Sequence, residues 1–167
     1  MDKVLYRPDA LGDFEAFDLT IKHIVQVAKE IGIALPEYQT AGSAAMDLCA
    51  YLPRHRIILP PGRSTMVGTG IRLNMPNAHM AALILPRSGL GVKGLTLANT
   101  VGLIDSDYQG ELKLAFKNTG NKDIDIEHGM RVAQLMFIPV MQVNLQEVVS
   151  FDIVTKRGTG GFGSTGS

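Results

Sequence analysis

Cysteine is scarce in this chain: Cys49 is alone. One thiol cannot close an intramolecular disulfide, so a reducing compartment is expected. Net charge is missing as well, because 16 Lys and Arg offset 16 Asp and Glu. That balance gives no reason to expect nucleic acid or an anionic membrane as partner, and any anionic ligand must be met by local groups. Long apolar runs are absent. Those at Ala81 to Pro86 and Leu135 to Val140 are far too short to span a bilayer, and no charged-then-apolar signal segment opens the chain. A soluble, cytoplasmic protein is expected. The four histidines (His23, His55, His79, His128) are scattered, which argues against a zinc site. There is no P-loop motif either.

What is present is enough for one domain with a real core: 167 residues, 46% of them apolar. One stretch, 19–31, reads as a helix, with Ile21, Ile24, Val25, Ala28 and Ile31 close to a 3.6 spacing and Gly32 to end it. The same β-branched residues would also suit a short strand. Beyond Pro36 short apolar or alternating runs recur at 45–51, 56–59, 65–73, 81–85, 95–98, 111–118, 123–126, 132–140 and 144–149. Gly, Pro, Asn and Asp separate them. Many short strands with turn residues between them predict an all-β (mainly β) sandwich, barrel or jelly roll. The last dozen residues hold five glycines, Phe162 and Arg157, and cannot pack as a regular element. Composition alone leaves them as either a frayed terminus or a flap that covers a ligand.

Several segments carry chemistry. Gly158-x-Gly160-x-x-Gly163 matches the dinucleotide fingerprint by letter, but too few residues follow for the helix that motif needs. Pro86-Arg87-Ser88-Gly89-Leu90-Gly91 follows an apolar strand. A glycine-flanked turn of this kind exposes backbone N–H groups to an anion, beside a guanidinium and a hydroxyl. No Ser-His-Asp pattern accompanies Ser88, so it does not read as a nucleophile. The segment from Asn99 to Glu111 reads as a hairpin with a strand from about Leu95, a return strand from Glu111 and a polar bend between. Asp105 follows Leu103-Ile104, which suggests a semi-buried carboxylate and hence a general base. Tyr108 offers a ring face. Asp47 stands in a small apolar run and needs a partner: an Arg, backbone N–H groups or a hydrated cation. Gln134 puts one amide into a strand that otherwise looks buried.

Taken in order, the segments 41–50, 86–91, 99–111, 131–136 and 157–166 resemble the five motifs of the dUTPase family, over roughly four-fifths of the chain. The resemblance implies a jelly-roll-like core assembled as a homotrimer with shared active sites, and dUTP as substrate. It implies hydrolysis to dUMP and pyrophosphate, supplying dUMP for thymidylate synthesis and keeping uracil out of DNA. Asp105 would orient and deprotonate the attacking water and bind the 3′-OH. Tyr108 would exclude ribonucleotides, while Asn99 with Gly102, Leu103 and Ile104 would read uracil. Arg87, Ser88, Gly89 and Gln134 would hold the phosphates, with Lys113 also among the substrate-binding residues. The tail would close over the ligand through Arg157, Phe162, Gly163, Ser164 and Thr165. The cofactor implied is Mg²⁺, held by the phosphates and water without direct protein ligands, with Asp47 at best in its outer shell.

The expected layout is an N-terminal extension and first-strand region over 1–30, helical or irregular, a core over 31–155 and a glycine-rich flap over 156–167. Two departures from the family pattern are Ala45 where Gly is usual and Cys49 where Arg is frequent. Two rivals remain at this level. A dCTP deaminase of similar fold would need a buried Glu, for which Glu111 is the only nearby residue. A non-catalytic binding protein would have lost the base, the loop or the tail.

Overall fold

The computed structural model describes residues 25–53 and 56–161. In chain order they form β1 (Gln26–Lys29), β2 (Met46–Cys49), β3 (Arg56–Leu59), β4 (Ser64–Asn74) and β5 (Met80–Pro86). There follow a one-turn helix α1 (Ser88–Val92), then β6 (Leu95–Leu97), β7 (Gly102–Ile104), β8 (Glu111–Asn118), β9 (Ile124–Glu127) and β10 (Arg131–Pro139). Every pairing among the described residues is antiparallel. One sheet runs β1-β4-β8-β6, a second β2-β10-β5-β7, and β3 with β9 makes a ribbon. The all-β architecture predicted from turn spacing is the one observed.

The core lies between the two sheets. β8 shows the reason most plainly: Leu112, Leu114 and Phe116 are buried while Lys113 and Lys117 between them are exposed, the period-2 alternation of a half-covered strand. Val67, Ile71 and Leu73 of β4 meet them, and Leu48, Ala82, Ile84, Val132 and Leu135 complete the packing from the second sheet. Each large aliphatic side chain so buried contributes roughly 1.5–3 kcal/mol.

β4 carries a wide irregularity. It takes four steps, from Gly68 to Arg72, against two on β8, from Lys113 to Glu111. Thr69 satisfies the disrupted ladder by donating to the Leu112 carbonyl (2.7 Å) and accepting from the Ile71 N–H (3.2 Å). Gly70 supplies the left-handed backbone, φ +66°, that the bulge needs and that a side chain would resist.

Three expectations are corrected. Within the predicted helix 19–31, residues 26–29 are the edge strand β1, paired with β4 from Gln26↔Asn74 to Lys29↔Ile71; residues 19–24 lie outside the described residues. Of the described residues in that spacing Val25 alone packs against the core, while Ala28 and Ile31 are exposed, and four ladder positions on β4 were available instead. No strand forms at 144–149: Leu145, Val148 and Val149 stand exposed with no neighbouring strand to pair with. The bend between β6 and β8 contains a strand that the sequence did not announce, β7, which joins the other sheet.

Candidate active site

β10 lies between β2 and β5, and its register assembles the first half of the site. Gln134 stands opposite Asp47 of β2 and opposite Leu85 of β5, while Ala133 faces Pro86. Arg87 therefore leaves the end of β5 beside Asp47. Its Nε lies 3.1 Å from Asp47 Oδ1, and its Nη1 donates to the Arg131 carbonyl at 3.0 Å. Arg131 Nη1 donates to Asp47 Oδ2 (3.1 Å) and to Gln39 Oε1 (3.1 Å). Asp47 thus has two arginine partners, which answers why an acid tolerates that apolar run. Two guanidiniums share one carboxylate, so the cluster keeps one positive charge in excess. The turn behind Arg87 closes when the Leu90 and Gly91 N–H groups return to the Arg87 carbonyl. Ser88 and Gly89 sit exposed in that first turn, where N–H groups have no acceptor within the helix.

Cys49 pairs with Arg131 across β2 and β10. Burial first, and then the Asp47 carboxylate, push its thiol above the ordinary value, while Arg131 and Arg87 pull down by less. A folded-state pKa above the unfolded one means stability that is complete below about pH 8.5, the ordinary thiol value, and is lost as pH rises through the raised pKa. Alkylation of this lone thiol should accordingly be slower in native protein than in urea-unfolded chain at pH 8. A native rate equal to or above the unfolded rate would contradict this environment.

The second half of the site is the segment between β6 and β8. Those two strands pair from Leu95↔Asn118 to Leu97↔Phe116, as the hairpin reading expected. Between them the chain turns at Asn99 and Thr100, with Val101 N–H bonded to the Asn99 carbonyl (2.7 Å). Thr100 is the one non-glycine at positive φ (+62°) among the described residues. For a β-branched residue that conformation costs energy and tends to mark functional turns. β7 then crosses to β5, pairing Gly102↔Ile84 and Ile104↔Ala82. It is the outermost strand of its sheet, so one side of its backbone faces no neighbouring strand. Leu103 points outward.

Asp105 ends this strand and is exposed in the single chain, so its expected semi-burial is not observed. Leu103 faces out and Ile104 only half in, and neither covers the acid. The bend closes with Tyr108 N–H on the Asp105 carbonyl (3.1 Å), and Tyr108 Oη donates to the Glu111 carbonyl (3.0 Å). The ring folds over Gly110, where any Cβ would collide with it. Only glycine permits that approach, and it fixes the ring while leaving one face open. Glu111 is occupied elsewhere: Oε1 accepts the Gly70 N–H at 2.9 Å inside the β4 bulge. Lys113 is exposed, its Nζ 4.0 Å from Glu111 Oε2.

The two halves do not meet within one chain. The β5–β7 register puts Asp105 next to the position facing Ala81, whereas Arg87 lies six residues further along β5. At about 3.3 Å per residue this separation approaches 20 Å. Arg157 sits in a turn of its own, its Nε donating to the Gly160 carbonyl at 2.9 Å. Phe162, Gly163, Ser164 and Thr165 lie outside the described residues. Sequence reasoning overlooked Gln39 and the guanidinium of Arg131, whose roles appear only once strand register is known. Among the described residues no three His, Cys, Asp or Glu gather as a metal cage, and no helix is long and apolar enough to cross a membrane.

The described residues thus make an antiparallel β protein with a guanidinium-lined turn at the end of β5 and a one-sided edge hairpin. The profile of the dUTPase family matches residues 32–166. The chain is 51% identical over 134 residues to the deoxyuridine 5′-triphosphate nucleotidohydrolase of Azotobacter vinelandii, covering 80% of this chain and 87% of that protein. In fold it is similar to the Staphylococcus bacteriophage 80alpha dUTPase bound to dUPNHPP, with TM-score 0.76, 26% identity and coverage of 87% and 100%. The dUTPase from phage phi11 of S. aureus, in a structure describing a structural Mg(II) ion, shares the fold with TM-score 0.69 at 21% identity, covering 78% of this chain and 99% of that one. The chain therefore belongs to the dUTPase family, whose enzymes are dUTP diphosphatases.

Proposed function

We propose that this chain hydrolyses dUTP to dUMP and pyrophosphate by water attack at the α-phosphorus, in sites shared between the subunits of a homotrimer. The observation that carries the reading is the hairpin: an edge strand with backbone open on one side, ending in an exposed carboxylate three residues before a fixed ring. The open backbone of Gly102, Leu103 and Ile104, with Asn99, reads the uracil edge. Tyr108 lies under the sugar and leaves no room for a 2′-OH. Asp105 binds the 3′-OH and takes a proton from the attacking water. As the new P–O bond forms, the bond from the α-phosphorus to the bridging oxygen breaks and pyrophosphate leaves. Arg87, Ser88, Gly89 and Gln134 hold the phosphates where charge accumulates, with Lys113 on the return strand. The tail then closes, with Arg157 on the γ-phosphate, Phe162 on the base and Gly163, Ser164 and Thr165 along the phosphates.

The separation of the two halves along β5, about 20 Å at roughly 3.3 Å per residue, supports sites shared between chains. The apolar arm, with Met141, Val143, Leu145, Phe151 and Ile153 exposed, supports the same assembly, since a lone subunit gains nothing by showing such a surface to water. A hydrated Mg²⁺ carried by the phosphates suits donors that are guanidinium, hydroxyl and N–H groups, and when bound it would neutralise charge on the leaving pyrophosphate. The reaction would supply dUMP for thymidylate synthesis and keep uracil out of DNA.

A nucleotide panel tests this. Pyrophosphate release is expected from dUTP, dependent on Mg²⁺, and to be far slower from dTTP, dCTP and UTP. Ammonia released from dCTP would overturn the reading in favour of a deaminase, against which the engagement of Glu111 by Gly70 N–H already counts. Tight dUTP binding without turnover would favour a binding protein.

A further inference from the structure

We propose that Asp47 is a positioning residue for the phosphate-binding guanidinium, fixing which edge of Arg87 the substrate meets. The inference rests on the reading that Arg87 holds phosphate. An arginine side chain is a flexible stem with five N–H donors in a planar fork, and an unconstrained one could present any edge of that fork to an anion. Here one of its three nitrogens donates a hydrogen bond and a second stands in ionic contact with a carboxylate. Nε lies 3.1 Å from Asp47 Oδ1, and Nη1 donates to the Arg131 carbonyl at 3.0 Å. The outer edge, carrying Nη2, is left for the ligand.

The carboxylate is itself held in place. Asp47 is on β2, its side chain 7% exposed, with Arg131 Nη1 3.1 Å from its other oxygen. Arg131 is steadied in turn by Gln39 Oε1. Arg131 therefore contributes twice, through its side chain to Asp47 and through its carbonyl to Arg87. Neutralising Asp47 would leave two like charges side by side and free the Arg87 fork to rotate. Ordering it again would then fall to substrate binding, which weakens affinity.

A purely structural ion pair would lower stability without caring how many phosphates a ligand carries. The full-length chain with Asp47→Asn is therefore compared with the native one for binding of deoxyuridine and of imido-bridged dUTP, alongside Arg87→Ala and the double variant. Expected is a loss of about tenfold to hundredfold in affinity for imido-dUTP, the range for one hydrogen bond to a charged group, with deoxyuridine affinity unchanged. Asp47→Asn should add nothing further once Arg87 is alanine. The Arg87 Nε–H resonance is expected to be single and slow to exchange in the native protein, and to broaden or shift in Asp47→Asn. Unchanged imido-dUTP affinity in Asp47→Asn, or a loss that adds fully to that of Arg87→Ala, overturns the positioning role alone. No loss in Arg87→Ala removes the phosphate reading on which it stands. Should Asp47→Asn fail to fold, Asp47→Glu keeps the charge but displaces it by one methylene. The same phosphate-dependent loss is then expected, and native affinity for imido-dUTP would overturn the proposal.

Discussion

Asp105→Asn is expected to bind dUTP with near-native affinity while losing turnover by about 10²–10⁴-fold, the usual worth of a positioned general base. The side chain makes no hydrogen bond or ion pair among the described residues; only its backbone carbonyl is used, by the Tyr108 N–H. Asparagine keeps the shape and one acceptor oxygen, so neither the bend nor the ring over Gly110 should move. What disappears is the ability to take a proton. The loss should therefore fall on kcat, with KM little changed, because the interaction removed belongs to the transition state. Single-turnover rates together with direct dUTP binding would show this. Near-native turnover would refute the assignment of Asp105 as base, and loss of binding in equal measure would leave it only the 3′-OH contact.

Removing residues 157–167 should lower turnover by about 10²-fold or more, comparable to losing the donors that stabilise developing charge, and leave melting nearly unchanged. The fold gives the reason for the second half of that statement. Leu135 is the last buried residue of the described chain, and Arg157 bonds only to Gly160 in its own turn. Among the described residues the deletion takes away no core contact. The apolar arm from Met141 to Val154, on which assembly would depend, remains. A fall in melting temperature of many degrees would show instead that the tail is part of the fold. Mixing Asp105→Asn chains with tail-deleted chains adds a sharper check: subunits that share sites should recover part of the activity, and self-contained sites should recover none.

β8 was fully readable in advance because both signals agreed: Leu112, Leu114 and Phe116 alternate with Lys113 and Lys117, and turn residues bound the run. β1 was not, since Val25, Ala28 and Ile31 satisfy a helical period as well as a short strand, and only pairing with β4 decided between them. The run at 144–149 has strand composition, yet a strand needs a neighbour and the described residues offer none there. β7 was hidden for a related reason. Three residues are too few to show a period, and its partner β5 lies far back in the sequence. The order of the site motifs was visible from Arg87 to Arg157, but their grouping was not. Register on β10 joins Asp47, Arg87 and Arg131, and register on β5 carries Asp105 away from them.

The sequence by itself determined the all-β class and the glycine-flanked Arg87 turn, because alternation and turn chemistry are local properties. Only the tertiary structure decided that Asp47 is taken up by two arginines, that Glu111 is engaged by the β4 bulge and that Asp105 stands exposed. It alone placed Asp105 about 20 Å along β5 from the Arg87 turn. Each of these depends on which strands lie side by side and in what register, and nothing in a short stretch of chain encodes that.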